Sequence, residues 1–176
     1  MVATRIITHQ NFIGGQWVDS VTGRTYQVHN PARTGQVVGE FQTSGAEDAL
    51  KAVAAAKDAL AVWANTPAPA RSNVIYKALQ IMGRRADEMA QTITTEEGKP
   101  IADAQGEVKR AMNIMEYAAG EGRRMFGYTT PSELPNTVAY TVRRPLGVVG
   151  IITPVSYTHL RAHETRHDLV CRLLLE

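Results

Sequence analysis

Three of the five histidines, His159, His163 and His167, fall at i, i+4, i+8 near the end of the 176-residue sequence. With Glu164 they contain the pattern H-E-x-x-H, in which two imidazoles hold zinc and the carboxylate activates water. On one straight helix the outer two histidines stand ~12 Å apart, from a rise of ~1.5 Å per residue, too far for one ion with Zn–N near ~2.1 Å. His163 and His167 could share an ion, but a hydrolase needs a third ligand. After His167 only Asp168 and Glu176 offer carboxylates, and Val170 stands where the extended pattern requires glycine. The motif therefore predicts adventitious metal binding, with zinc hydrolysis through His163, Glu164 and His167 as a remote alternative, and no metal site is assigned. The single cysteine, Cys171 in "LVCRLLLE", excludes an intrachain disulfide and stands beside Arg172, which could lower a thiol pKa. It is read as an incidental thiol.

The totals are those of a globular domain: 44% hydrophobic, nineteen basic against seventeen acidic residues, net charge +2. That balance predicts neither a nucleic-acid nor an anionic-membrane partner. No apolar run reaches the ~20 residues of a membrane helix, and "MVATRIITHQ" has no secretory core, so a cytoplasmic location is expected. Arg84-Arg85, Arg123-Arg124 and Arg143-Arg144 are dispersed among acidic residues and read as solvated or paired rather than as a phosphate site.

Residues 1–10 are expected to be a loose arm. "NFIGGQWV" predicts a hairpin about Gly14-Gly15. In "TYQVHNPARTGQVVGEFQT", Asn30-Pro31 opens a turn and Thr34-Gly35 closes it. Ser44 and Glu47 have capping-box spacing ahead of a helix whose Ala46, Ala49, Leu50, Val53, Ala56, Leu60 and Trp63 fill an arc of about 140°. Pro67 and Pro69 end it. One further helix carries the stripe Leu79, Met82, Ala86, Met89 and Ile93, with Gly98 as its C-cap. Pro100 starts a third, with Val108, Met112, Met115 and Ala119 inward as core filler. After the loop "TTPSELPN", "TVAYTVRRP" alternates as a half-exposed strand and "GVVGIITP" reads as a strand buried on both faces.

Four ordered motifs, "NFIGGQWVDS", "NPARTGQVVGEF", "EEGKP" and "RRPLGVVGIITP", resemble the N-terminal part of an aldehyde dehydrogenase over residues about 11–154. "GRRMFGYTTPSELPN" also resembles the subgroup acting on α-ketoglutaric semialdehyde. The resemblance implies an α/β fold: the N-terminal hairpins and three-helix region of a Rossmann-like cofactor domain, truncated as the parallel sheet begins. Residues 137–144 would be an oligomerisation-arm strand, and the parent a homodimer or homotetramer. It implies that Ile152, Thr153 and Pro154 line the cleft for NAD or NADP, since ligands gather at strand carboxyl ends; for this chain alone they are expected only to finish a strand. The implied reaction oxidises a small aldehyde to an acid through a cysteine thiohemiacetal, hydride transfer and a glutamate base. No catalytic residue of that set is found in the chain, so it is expected to be inactive alone and to bind no cofactor.

The family continues after Pro154 with Trp-Asn, where this sequence has Val155-Ser156. That asparagine helps hold the oxyanion, and losing such a donor costs ~10²–10³ in rate. Residues 155–176 are read as a non-family tail resembling translated sequencing adapter. With so much of the implied fold missing, the 176-mer is expected to be marginally stable and prone to aggregate. A non-catalytic α/β interaction module is the alternative.

Overall fold

The structure is a computed structural model that describes residues 6–151. Within the expected N-terminal arm, β1 (Thr8–His9) is followed by β2 (Asn11–Ile13) and β3 (Gln16–Val18). The last two form the expected tight hairpin, with Ile13 opposite Gln16. Gly14 (φ 60°) and Gly15 (φ 82°) both sit at positive φ, which the two-residue type I′ turn demands. The Phe12 and Trp17 rings lie 5.0 Å apart across the ladder.

The longer β4 (Thr25–Asn30) and β5 (Arg33–Gln42) pair antiparallel, and β1 joins the other edge of β5 in parallel, giving the order β1-β5-β4. Thr34-Gly35 does not close the turn as expected; both residues lie inside β5. The Asn30 side chain makes a shorter turn available: its Oδ1 accepts the N–H groups of Ala32 at 2.9 Å and Arg33 at 3.2 Å. His9 stacks on Phe41 at 4.7 Å.

The first helix, α1 (Ala46–Asn65), begins one residue later than its capping-box spacing predicts. The Ser44 hydroxyl is engaged by the Asn11 amide, at 2.8 and 3.1 Å, so Gly45 becomes the N-cap. Asp48, not Glu47, accepts the Gly45 N–H at 2.9 Å; Glu47 instead pairs with Lys51 one turn on. The expected apolar face of α1 forms but is not covered: Leu50 is 67% exposed and Trp63 48%. At its far end Arg71 Nη1 donates to the carbonyls of Trp63 and Thr66, at 3.2 and 3.0 Å.

The second predicted helix is two. α2 (Ala68–Arg84) and α3 (Ala86–Glu97) break at Arg85, whose φ −112° and ψ 17° leave helical geometry. The stripe Leu79, Met82, Ala86, Met89 and Ile93 continues across the break and is half-buried throughout. Gly98 ends α3 in the left-handed conformation at φ 74°, and Pro100 caps α4 (Ile101–Glu121). Helix α4 packs against α2 and α3, and the core forms where Ala90, Ala104 and Val108 meet, flanked by Ala86, Met89, Ile93 and Met112. Small residues at the contact let the helices approach closely. Met112 and Met115 fill the margin, half-buried, and Ala119 is fully buried.

Among the described residues beyond α4 only β6 (Thr129–Thr130) and β7 (Ala139–Tyr140) pair, so within 137–144 the strand is two residues long. Residues 147–151 form no strand, and Val149 and Ile151 are 51% and 68% exposed. A doubly buried strand exists only between neighbouring strands, and the described residues supply none. Among the described residues the architecture is mixed α/β, with four helices rather than three and small sheets. Among the described residues no helix is long and apolar enough to cross a membrane.

Candidate functional site

Ile152, Thr153 and Pro154, the residues implied to line a cofactor cleft, lie outside the described residues. So do His159, His163, Glu164, His167 and Cys171. The described segment that precedes them, Gly147 to Ile151, follows Arg144-Pro145 with Gly147 at φ 105°. Among the described residues no group of three or more His, Cys, Asp or Glu side chains could hold a metal.

The one chemistry-bearing cluster inside a family-like motif is at the α3–α4 corner, in "EEGKP". Lys99 Nζ lies 2.5 Å from Glu107 Oε1 and 2.6 Å from Glu97 Oε2, with its side chain 17% exposed. Glu107 first, then Glu97, hold the ammonium above its ordinary pKa, despite partial burial. An ammonium so stabilised is neither a nucleophile nor a base at neutral pH. Its role is to tie the end of α3 to the second turn of α4. The corner is also pressed against the β4–β5 turn: a Cβ on Gly98 would meet the Ala32 nitrogen at 2.9 Å and the Pro31 ring at 3.0 Å.

A second polar hub was not expected from the sequence. Asp48 is 4% exposed and accepts the Val21 N–H through Oδ1 and the Gly45 N–H through Oδ2, both at 2.9 Å. These N–H groups, Gly45 foremost, hold its carboxyl below the ordinary carboxylate range. The carboxylate thus fastens the loop after β3 to the positive end of α1. The signal was present in "SGAED", which offers the cap spacing in two registers one residue apart.

The arginine pairs behave as expected where their partners are defined. Arg85 meets Glu88 at 2.5 Å and Arg124 meets Glu121 at 2.6 Å, all on the surface. A groove of about 460 Å³ runs between the start of α3 and α4, with Val108 and Met112 at its floor and Asp87, Lys109 and Asn113 at its rim. It contains no thiol, hydroxyl or imidazole that could act as a nucleophile. Neither this groove nor the Lys99 corner suits a dinucleotide: Asp87 stands at the groove, and at the corner Glu97 and Glu107 already hold the ammonium and would repel a pyrophosphate.

Comparison with known proteins gives these elements a context. The description "Aldehyde dehydrogenase family" matches residues 17–163, past the Pro154 at which the motif reading ends. An "Alpha-ketoglutaric semialdehyde dehydrogenase" of Bacillus subtilis (strain 168) is 41% identical over 156 residues, 89% of this chain and 32% of the relative. A "Malonate-semialdehyde dehydrogenase" of Bacillus pumilus (strain SAFR-032) is 38% identical over 157 residues, again 89% and 32%. Among solved structures, an E. coli "NADP dependent enzyme" superposes with a TM-score of 0.73 at 31% identity, covering 76% of this chain and 28% of that one. The chain spans about a third of the length of the curated relatives it matches.

Proposed function

Since the chain belongs to the aldehyde dehydrogenase family, we propose that it is the N-terminal, cofactor-domain portion of an NAD(P)-dependent enzyme that oxidises a semialdehyde to the corresponding acid. The observation that carries this reading is the family match over residues 17–163, joined to 41% identity with a relative named for α-ketoglutaric semialdehyde. Neither the α3–α4 groove nor the Lys99 corner suits a dinucleotide. In the proposed whole enzyme, Ile152, Thr153 and Pro154 approach the nicotinamide cofactor, which accepts hydride when bound. The thiol and the general base come from sequence that this chain does not match. Residues 137–144 serve as an arm strand between subunits of a cytoplasmic homodimer or homotetramer.

The contribution of residues 6–151 is then positional. Helices α3 and α4 pack through the Ala90–Ala104–Val108 core, and α2 packs against α4. Lys99 ties α3 to α4, and the close approach at Gly98 sets that body against the β4–β5 turn. In the proposed whole enzyme the apolar stretch from Leu146 to Ile151 enters a sheet built by other residues. The exposed Val138, Tyr140, Val142, Leu146, Val149 and Ile151 support that division of labour.

Two assays test the reading. The purified 176-mer, given malonate semialdehyde or α-ketoglutaric semialdehyde with NAD or NADP, is expected to form no reduced nicotinamide above the rate without protein. Turnover would refute its standing as an incomplete catalyst. Residues 1–151 fused to the corresponding remainder of the Bacillus subtilis relative are expected to restore oxidation to within about tenfold of that relative. A folded, inactive fusion would refute the proposed role.

A further inference from the structure

We draw no further inference here: the strongest candidate, the apolar face of α1 formed by Leu50, Val53 and Trp63, is left unpartnered among the described residues and nothing in the structure shows what covers it.

Discussion

Two glycines in adjoining helices should respond to the same substitution with opposite signs. Gly98 closes α3 at φ 74° and ψ 11°, a conformation that costs a residue with a Cβ about 1–2 kcal/mol. The added methyl would also stand 2.9 Å from the Ala32 nitrogen and 3.1 Å from the Ala32 Cβ. Backbone on one side and a proline ring on the other leave little room to yield, and overpacking of this kind costs about 1–3 kcal/mol. Restricting the unfolded chain returns about 0.4–1 kcal/mol. The net expectation for Gly98→Ala is a loss of about 2–4 kcal/mol, a large share of the ~5–15 kcal/mol that holds an ordinary domain together. Gly106 lies in the middle of α4, exposed, and nothing stands within 4 Å of its would-be Cβ. There Ala should add about 0.5–1 kcal/mol. Urea titration followed by far-ultraviolet circular dichroism reads both, because all four helices report. With a slope of about 2 kcal/mol per molar, Gly98→Ala should lower the midpoint by about 1–2 M and Gly106→Ala should raise it by about 0.3–0.5 M. If the two midpoints move together, or Gly98→Ala stays within about 0.2 M of the parent, the α3–α4 corner does not rest on the β4–β5 turn.

Asp48 should make the fold acid-sensitive. Its folded-state pKa lies below the ordinary 3.8, so its contribution is present above that value and is lost as pH falls through the folded value. The urea midpoint of the parent should therefore drop from about pH 5 towards pH 3, and Asp48→Asn should flatten that slope while lowering the plateau. Lys99→Met strands two carboxylates that are only partly exposed, at 29% and 40%. It should cost about 1–2 kcal/mol, between the values for surface and buried pairs, and Lys99→Arg should recover part of it in the same titration. Val108→Ala, at 3% exposure, should cost about 1.5–3 kcal/mol, whereas Leu50→Ala, at 67%, should fall within about 0.5 kcal/mol of the parent and reduce light scattering by the purified chain.

What could be read from the sequence divides by the range of the interactions involved. The Gly14-Gly15 hairpin and the Gly98 cap are set within a few residues, by positive φ at glycine, and both form where expected. The stripe from Leu79 to Ile93 also holds, because helical period survives a one-residue interruption. The break at Arg85 does not announce itself: "GRRADE" contains no proline, and the chain turns there so that α3 and α4 can close on Ala90 and Ala104. The shift of the cap from Ser44 to Gly45 depends on Asn11, thirty-three residues away, and no local rule could weigh that partner. The β4–β5 turn opens at Asn30-Pro31 as expected but closes before Thr34-Gly35, for a related reason. The sequence offers two turn signals, and the Asn30 side chain decides between them by binding Ala32 and Arg33. Of the site itself, the residues implied at 152–154 fall outside those described, so the sequence remains the ground for them.

The scarcity of strand after Tyr140 among the described residues bears on catalysis as well as on folding. A helix satisfies its own backbone, so α1 can persist with Leu50 and Trp63 in water. A strand cannot, and the apolar segment from Gly147 to Ile151 finds no ladder among the described residues. The same shortage governs the chemistry. Stabilising the charge that develops on an aldehyde oxygen needs fixed donors in a site from which water is excluded. Such a site needs walls, and among the described residues no large side chain is fully buried; Val108 is the largest apolar residue in the core. Residues 6–151 therefore do not by themselves enclose such a site. Any aldehyde oxidation in which they take part must draw a thiol and dry walls from polypeptide beyond them.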